Sequence, residues 1–310
     1  KEGDDVIEYL MDNARRGRFQ VSDIESYIEN VVKHSSSEAM SAIANLKSSD
    51  HTYGHCIDVG VFFQMVYNKA IGKNKCQSSF QTQNQMLLGA FLHDFGKSQL
   101  PKEILDSTGR FEPNSKEMHL LKQHPHNGAK LLSGMNMPDS IINMCLFHHV
   151  KMDESLNTSY PETLDYNDSR FETRLLSIID VYQALIGRRS YKRSWTPPQA
   201  MRYLSALAGI EYDDAVWEVF LNLMGEYPIG SLVVLNDESM GFVMNVPDEG
   251  EDLFRPQIAV FRNAYGEDLE NHTLVDLQVE RDIYIKNDIN AADVFSNQAV
   301  NRFSELKIVA

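Results

Sequence analysis

Residues 86–97 read Met86-Leu87-Leu88-Gly89-Ala90-Phe91-Leu92-His93-Asp94-Phe95-Gly96-Lys97. The stretch 86–95 is mostly apolar and reads as a central core helix, yet it carries a histidine and an aspartate, two groups costly to bury without compensation. Taken alone, the pair fits a satisfied core histidine beside a capping aspartate. Residues 175–186 shift the balance. There Asp180 is the single charged residue in an otherwise uncharged run, Leu175 to Ile186. An aspartate so placed is either forced neutral or held ionised by a cation.

Histidines gather in the same half of the chain. Eight of the ten (His51, His55, His93, His119, His124, His126, His148, His149) fall between residues 51 and 149, and imidazole is the commonest nitrogen donor to transition metals. His148-His149 closes the apolar run 141–147, and adjacent helical residues project about 100° apart, so the pair can serve one ion or two. His124-Pro125 sits at a loop or helix start. Cys56 and Cys145 read as core, His119 and His126 as surface, and Trp195 and Trp217 as packing residues.

Around these groups the pattern is mainly α-helical. Helical spacing of apolar residues runs over 4–17, 22–47, 51–72, 116–133, 139–150, 170–188, 197–208 and 212–224. After Gly225 strand-like alternation takes over at 231–235, 241–246, 257–261 and 275–285. The expected organisation is an N-terminal helical segment (1–47), a helical metal-binding domain (48–225), a small β module (226–287), and a polar tail (288–310) that ends in a helix.

Composition bounds the remaining choices. The 310 residues are 43% hydrophobic and 24% charged, with a net charge of −15. An exterior that acidic argues against sequence-independent duplex binding, while metal ions can still reverse the sign within one cleft. No apolar run reaches the ~18–20 residues of a membrane span. Three widely spaced cysteines indicate a reducing compartment, and a cytoplasmic protein is expected.

With these residues in order (His55, His93-Asp94-x-Gly96-Lys97, His124-Pro125, His148-His149, and Asp180 with Tyr191 downstream), residues 50–200 resemble the HD-GYP family, the HD metal-dependent phosphohydrolases that hydrolyse cyclic dinucleotides such as cyclic di-GMP. The Tyr227-Pro228-Ile229-Gly230-Ser231 stretch and the module after it are similar to segments trailing that domain. The resemblance implies an HD-type helical bundle holding two divalent ions, iron or manganese foremost, on His55, His93, Asp94, His124, His148, His149 and Asp180, with Asp94 bridging. It also implies that Lys97 contacts the scissile phosphate, and that Arg189 and Lys192, nine and twelve residues after Asp180, grip a second phosphate or a guanine edge.

Two departures mark an unconventional member. The family's Gly-Tyr-Pro loop follows the histidine pair closely; here it is longer, valine (Val150) stands where the family has glutamate, and Ser159 replaces the glycine before Tyr160-Pro161. Glycine loss restricts the backbone, so Tyr160 is expected to shift from the family's position. Where some members place a glutamate for a third metal, this chain has His51. The expected reaction is phosphodiester hydrolysis by a hydroxide bridging two cations roughly 3.5–4 Å apart. Alternatives are a cyclic-dinucleotide receptor that binds without turnover, or an HD phosphohydrolase acting on another nucleotide. Protein contacts stay open between a homodimer and a signalling partner.

Overall fold

The computed structural model describes residues 52–105, 111–187 and 194–308, with Asn13, Ser107 and Gly109 as isolated positions. The expected N-terminal segment 1–47, together with His51, Arg189, Tyr191 and Lys192, lies outside the described residues.

Among the described residues, nine helices form the first layer: α1 (Thr52–Gly72), α2 (Gln83–Phe91), α3 (Lys102–Leu105), α4 (Lys116–Leu121), α5 (His124–Gly134), α6 (Asp139–Phe147), α7 (Phe171–Ile186), α8 (Pro197–Ser205) and α9 (Asp214–Met224). A 3-10 turn, Phe95–Gln99, joins α2 to α3. Helix α7 is the axis, packed on α1, α6, α8 and α9. Eleven of its sixteen residues are buried, as a near-continuous apolar sequence requires. Phe62 of α1 stacks on Tyr182 of α7 at 5.3 Å, and Tyr182 meets Phe220 of α9 edge-on. Phe62 is 1% exposed, so Phe62→Ala is expected to lower stability by about 3–5 kcal/mol, read as a fall in the urea midpoint at unchanged m-value. Cys56, Cys145 and Trp217 are core, and Trp195 packs edge-on against Tyr203.

Several boundaries differ from the sequence reading. Helix α2 stops at Phe91, so His93 and Asp94 lie on the turn before the 3-10 segment. Likewise α6 stops at Phe147, and the histidine pair occupies the turn after it rather than a helix face. The expected helix 116–133 is two helices, broken at Lys122-Gln123.

The second layer is a five-stranded antiparallel sheet of β1 (Leu232–Leu235), β2 (Met240–Asn245), β3 (Gln257–Arg262), β4 (Asp268–Asp276) and β5 (Ile285–Ile289), in the order β4-β3-β2-β1-β5. Period-two alternation sends Leu232, Phe242 and Phe261 to one face and Val233, Val243 and Val260 to the other. The strand expected over 275–285 is instead the end of β4, a turn, and the start of β5. Carbonyls of Leu277, Glu280, Arg281 and Ile283 accept from the Arg255 guanidinium and hold the turn open. The expected tail, ending in a helix, is packed on the sheet. Residues 291–308 form α10 (Ala291–Phe295) and α11 (Ala299–Ile308). Ala299, Phe303 and Leu306, at helical spacing, cover the Leu232 face of the sheet.

Candidate metal centre

Three helices end at one point, and each carries a histidine just beyond its last turn. The ring Nδ1 of His93 lies 2.6 Å from the Ala90 carbonyl, that of His124 lies 2.8 Å from Leu121, and that of His148 lies 2.8 Å from Cys145. These are carbonyls at the C-terminal ends of α2, α4 and α6, where no intrahelical donor is available. A carbonyl can only accept, so each Nδ1 carries a hydrogen and each ring points its Nε2 inward. Ser177 of α7 donates its hydroxyl to the His148 carbonyl and fixes the turn from behind.

The inward nitrogens meet Asp94. Its Oδ1 lies 3.1 Å from His124 Nε2 and 3.6 Å from His148 Nε2, and its Oδ2 lies 3.4 Å from His93 Nε2 and 2.5 Å from Lys97 Nζ. Asp180 closes the other side, with Oδ1 at 2.7 Å from His55 Nε2 and 3.7 Å from His93 Nε2. Donor atoms fall into two groups, Asp94-His124-His148-His149 and His55-His93-Asp94, each with all its atoms within 4.8 Å of one another. Asp94 belongs to both.

Divalent cations fit these residues. His124 Nε2 and His148 Nε2 face each other at 3.2 Å, an arrangement in which two lone pairs repel unless positive charge lies between or beside them. His93 Nε2 and Asp94 Oδ1 are fully buried and without a hydrogen-bond donor. Negative ends of helix dipoles point at the same place. Imidazole nitrogen mixed with carboxylate oxygen is a donor set suited to iron, manganese or zinc.

The electrostatics agree. Burial opposes charge on His93, but Asp94 and Asp180 override it and lift its pKa to about 10. Burial likewise opposes the Asp94 carboxylate, yet Lys97 and His93 hold it well below the usual range. Asp180 is held down in the same way by His55 and His93. Burial depresses His148 to about 4 and pushes His124 and His149 down as well, keeping these rings neutral and able to ligate.

Tyr160 is brought to the centre despite its altered loop. Its ring lies 4.4 Å from that of His149 and 6.0 Å from that of His124, with Lys122 Nζ 5.6 Å above it. His119 and His126 are exposed and apart from the cluster.

The sequence reading missed the supports. Lys151, 3% exposed, is held by Glu211 at 3.3 Å and by the Tyr212 hydroxyl at 3.3 Å. Met152 N–H and Asp153 N–H donate to the carbonyls of Glu211 and Ile210, so the long loop is tied to the turn before α9. A lysine in a polar stretch gives no sign of a partner sixty residues away. Ser177, a hydroxyl inside an apolar helix, was the one support with a local signal.

The family model described as "HD domain" matches residues 63–216, and one described as "KOW domain associated with HD domain" matches residues 232–297. The chain is an HD-domain protein. The chain is similar to "Cyclic di-GMP phosphodiesterase PA4108" of Pseudomonas aeruginosa, 28% identical over 243 residues, covering 78% of this chain and 55% of the relative. The response regulator RpfG of Xanthomonas campestris, also named a cyclic di-GMP phosphodiesterase, is 34% identical over 128 residues, covering 41% of this chain and 32% of RpfG. "3'3'-cGAMP-specific phosphodiesterase 2" of Vibrio cholerae is 30% identical over 138 residues, covering 44% of this chain and 26% of that protein. The HD-domain chain thus spans about half or less of these relatives. Among solved structures, Bd1817, "a HDG"Y"P protein from Bdellovibrio bacteriovorus", shares the fold at a TM-score of 0.50 and 17% identity, covering 70% of this chain and 67% of Bd1817. Among the described residues no helix is long and apolar enough to cross a membrane.

Proposed function

We propose that this HD-domain protein hydrolyses a phosphodiester bond of a cyclic dinucleotide, cyclic di-GMP first among them. The observation that carries the reading is the convergence of imidazole Nε2 atoms from three helix ends on the shared carboxylate of Asp94. His55, His93, Asp94 and Asp180 would hold one divalent ion, and Asp94, His124, His148 and His149 a second, with iron or manganese the best matched. Ions so held supply Lewis acidity, which acidifies water and offsets charge on phosphate oxygens.

The chain's own groups complete the site. Lys97 keeps its charge because Asp94 outweighs the burial that opposes it. Its ammonium is therefore placed to bind a non-bridging oxygen of the scissile phosphate, where negative charge builds up during displacement. Tyr160, its ring tilted against that of His149, is assigned to substrate contact. Arg189 and Lys192 are assigned by sequence position to a second phosphate or a guanine edge. The departures at Val150 and Ser159 favour a slow enzyme and keep a non-hydrolysing receptor as the second reading.

Incubating manganese- or iron-reconstituted protein with cyclic di-GMP and cyclic GMP–AMP, and resolving products by chromatography, decides between them. Linear dinucleotide is the expected product. Tight binding with no product would install the receptor in place of the enzyme, and no binding to either compound would remove both.

A further inference from the structure

Gln183 lies on α7 one helical turn beyond Asp180. It is 4% exposed, and its Nε2 has no hydrogen-bond partner among the described residues. Its surroundings on the helix are apolar: Ile179, Tyr182 and Ile186 are all buried. Several other directions around α7 are occupied. Thr173 and Ser177 face α6 through Asn143 Oδ1 and the His148 carbonyl, Glu172 accepts from Ser79, and Tyr182 packs on Phe62 and Phe220. Helical side chains lean back over the turn on their N-terminal side, and residues three apart share a face. Gln183 therefore shares the face of α7 that carries Asp180.

A buried amide donor without an acceptor is destabilising, and nothing described in the chain relieves it here. Resting on the reading of this centre as a cyclic-dinucleotide site, we propose that Gln183 is a substrate-positioning residue whose amide N–H donates to a non-bridging phosphate oxygen of the bound dinucleotide. The residue type suits the place. A carboxylate there would add to the charge of Asp94 and Asp180 and repel phosphate, and an ammonium would be drawn to those carboxylates instead. A neutral amide does neither and still presents two donor hydrogens.

The test uses manganese-loaded wild type, Gln183→Met (similar length, no donor) and Gln183→Glu (same shape, acceptor only). Each is titrated calorimetrically with cyclic di-GMP and, separately, with inorganic phosphate, and each is assayed for metal content and Tm. Gln183→Met is expected to weaken both probes about tenfold, or about 1.4 kcal/mol, and Gln183→Glu further, with metal content unchanged and Tm no lower in Gln183→Met, which removes the unsatisfied donor. Gln183→Met binding both probes within about twofold of wild type would overturn the assignment, with water left as the partner of the amide. Loss of metal or a lower Tm in Gln183→Met would overturn it too, in favour of a structural role. Wild type that binds phosphate but neither hydrolyses nor binds cyclic di-GMP would remove the cyclic-dinucleotide reading alone, and the phosphate titration would still decide Gln183.

Discussion

Asp94→Ala is expected to lose at least ~10³-fold in turnover of cyclic di-GMP, a loss on the scale seen when one electrostatic contact to a developing oxyanion is removed, and to carry roughly one divalent ion or fewer per chain after reconstitution. Among the described residues, Asp94 alone is common to both donor groups. Its two oxygens reach His124 and His148 on one side and His93 and Lys97 on the other. Without it, His124 and His148 have no carboxylate beside them to help hold a dication, and the Lys97 ammonium has lost its ion-pair partner. Elemental analysis of the purified variant beside wild type, with circular dichroism to confirm folding, gives the answer. A variant that keeps both ions and turns over at more than a tenth of the wild-type rate would remove Asp94 from the bridging position. Elemental analysis also reads the wild type on its own, where a content well below one ion per chain would end the metal reading.

Gly96→Ala is expected to lower stability by about 3 kcal/mol, which for a domain of this size is a fall in Tm of roughly 6–12 °C. A Cβ at Gly96 would sit 1.8 Å from the His124 carbonyl oxygen and 2.5 Å from the Gly128 amide nitrogen. Both are backbone atoms of α5, so no rotamer change relieves the overlap, and the 3-10 turn must move off the helix. That movement separates Asp94 from His124, and weaker metal retention should accompany the lower Tm. Gly134→Ala is the matched control, since a Cβ there meets nothing within 4 Å. Equal melting of the two variants would show that the turn accommodates a side chain and that the close approach is not needed.

Much of the centre was legible because its residues are chemically out of place. Asp180 in an apolar helix, the His-Asp doublet after an apolar run and the histidine pair after another each need a compensating charge, and the structure brings them together. Exact helix ends were not legible. Leu92 and Val150 continue the apolar pattern beyond the last hydrogen-bonded turn, so periodicity extends α2 and α6 past the carbonyls that the histidines cap. Strand β4 was unreadable for a different reason. Lying at the sheet edge with most of its residues exposed, Asp268-Leu269-Glu270-Asn271-His272 buries too little to show alternation. The turn at 277–284 depends on Arg255, more than twenty residues away, and the docking of α11 on the sheet, though not its helical character, was hidden because its three apolar contacts are diluted in a polar sequence. Arg255 and Lys151 show the same limit: the partner that gives each its role is distant in the chain.

The way the three imidazoles are carried has a consequence for divergence. Each is aimed by a contact with a carbonyl three residues back, so its direction is set inside a single tetrapeptide and owes nothing to the length of the connection that follows. The segment after His149 can therefore grow, shrink or change composition between lineages without disturbing inorganic chemistry a few ångströms away. Substitutions such as Val150 and Ser159 fall in that tolerant region. A protein built this way can trade one guest for another at its entrance while its cluster of imidazoles and carboxylates keeps its arrangement.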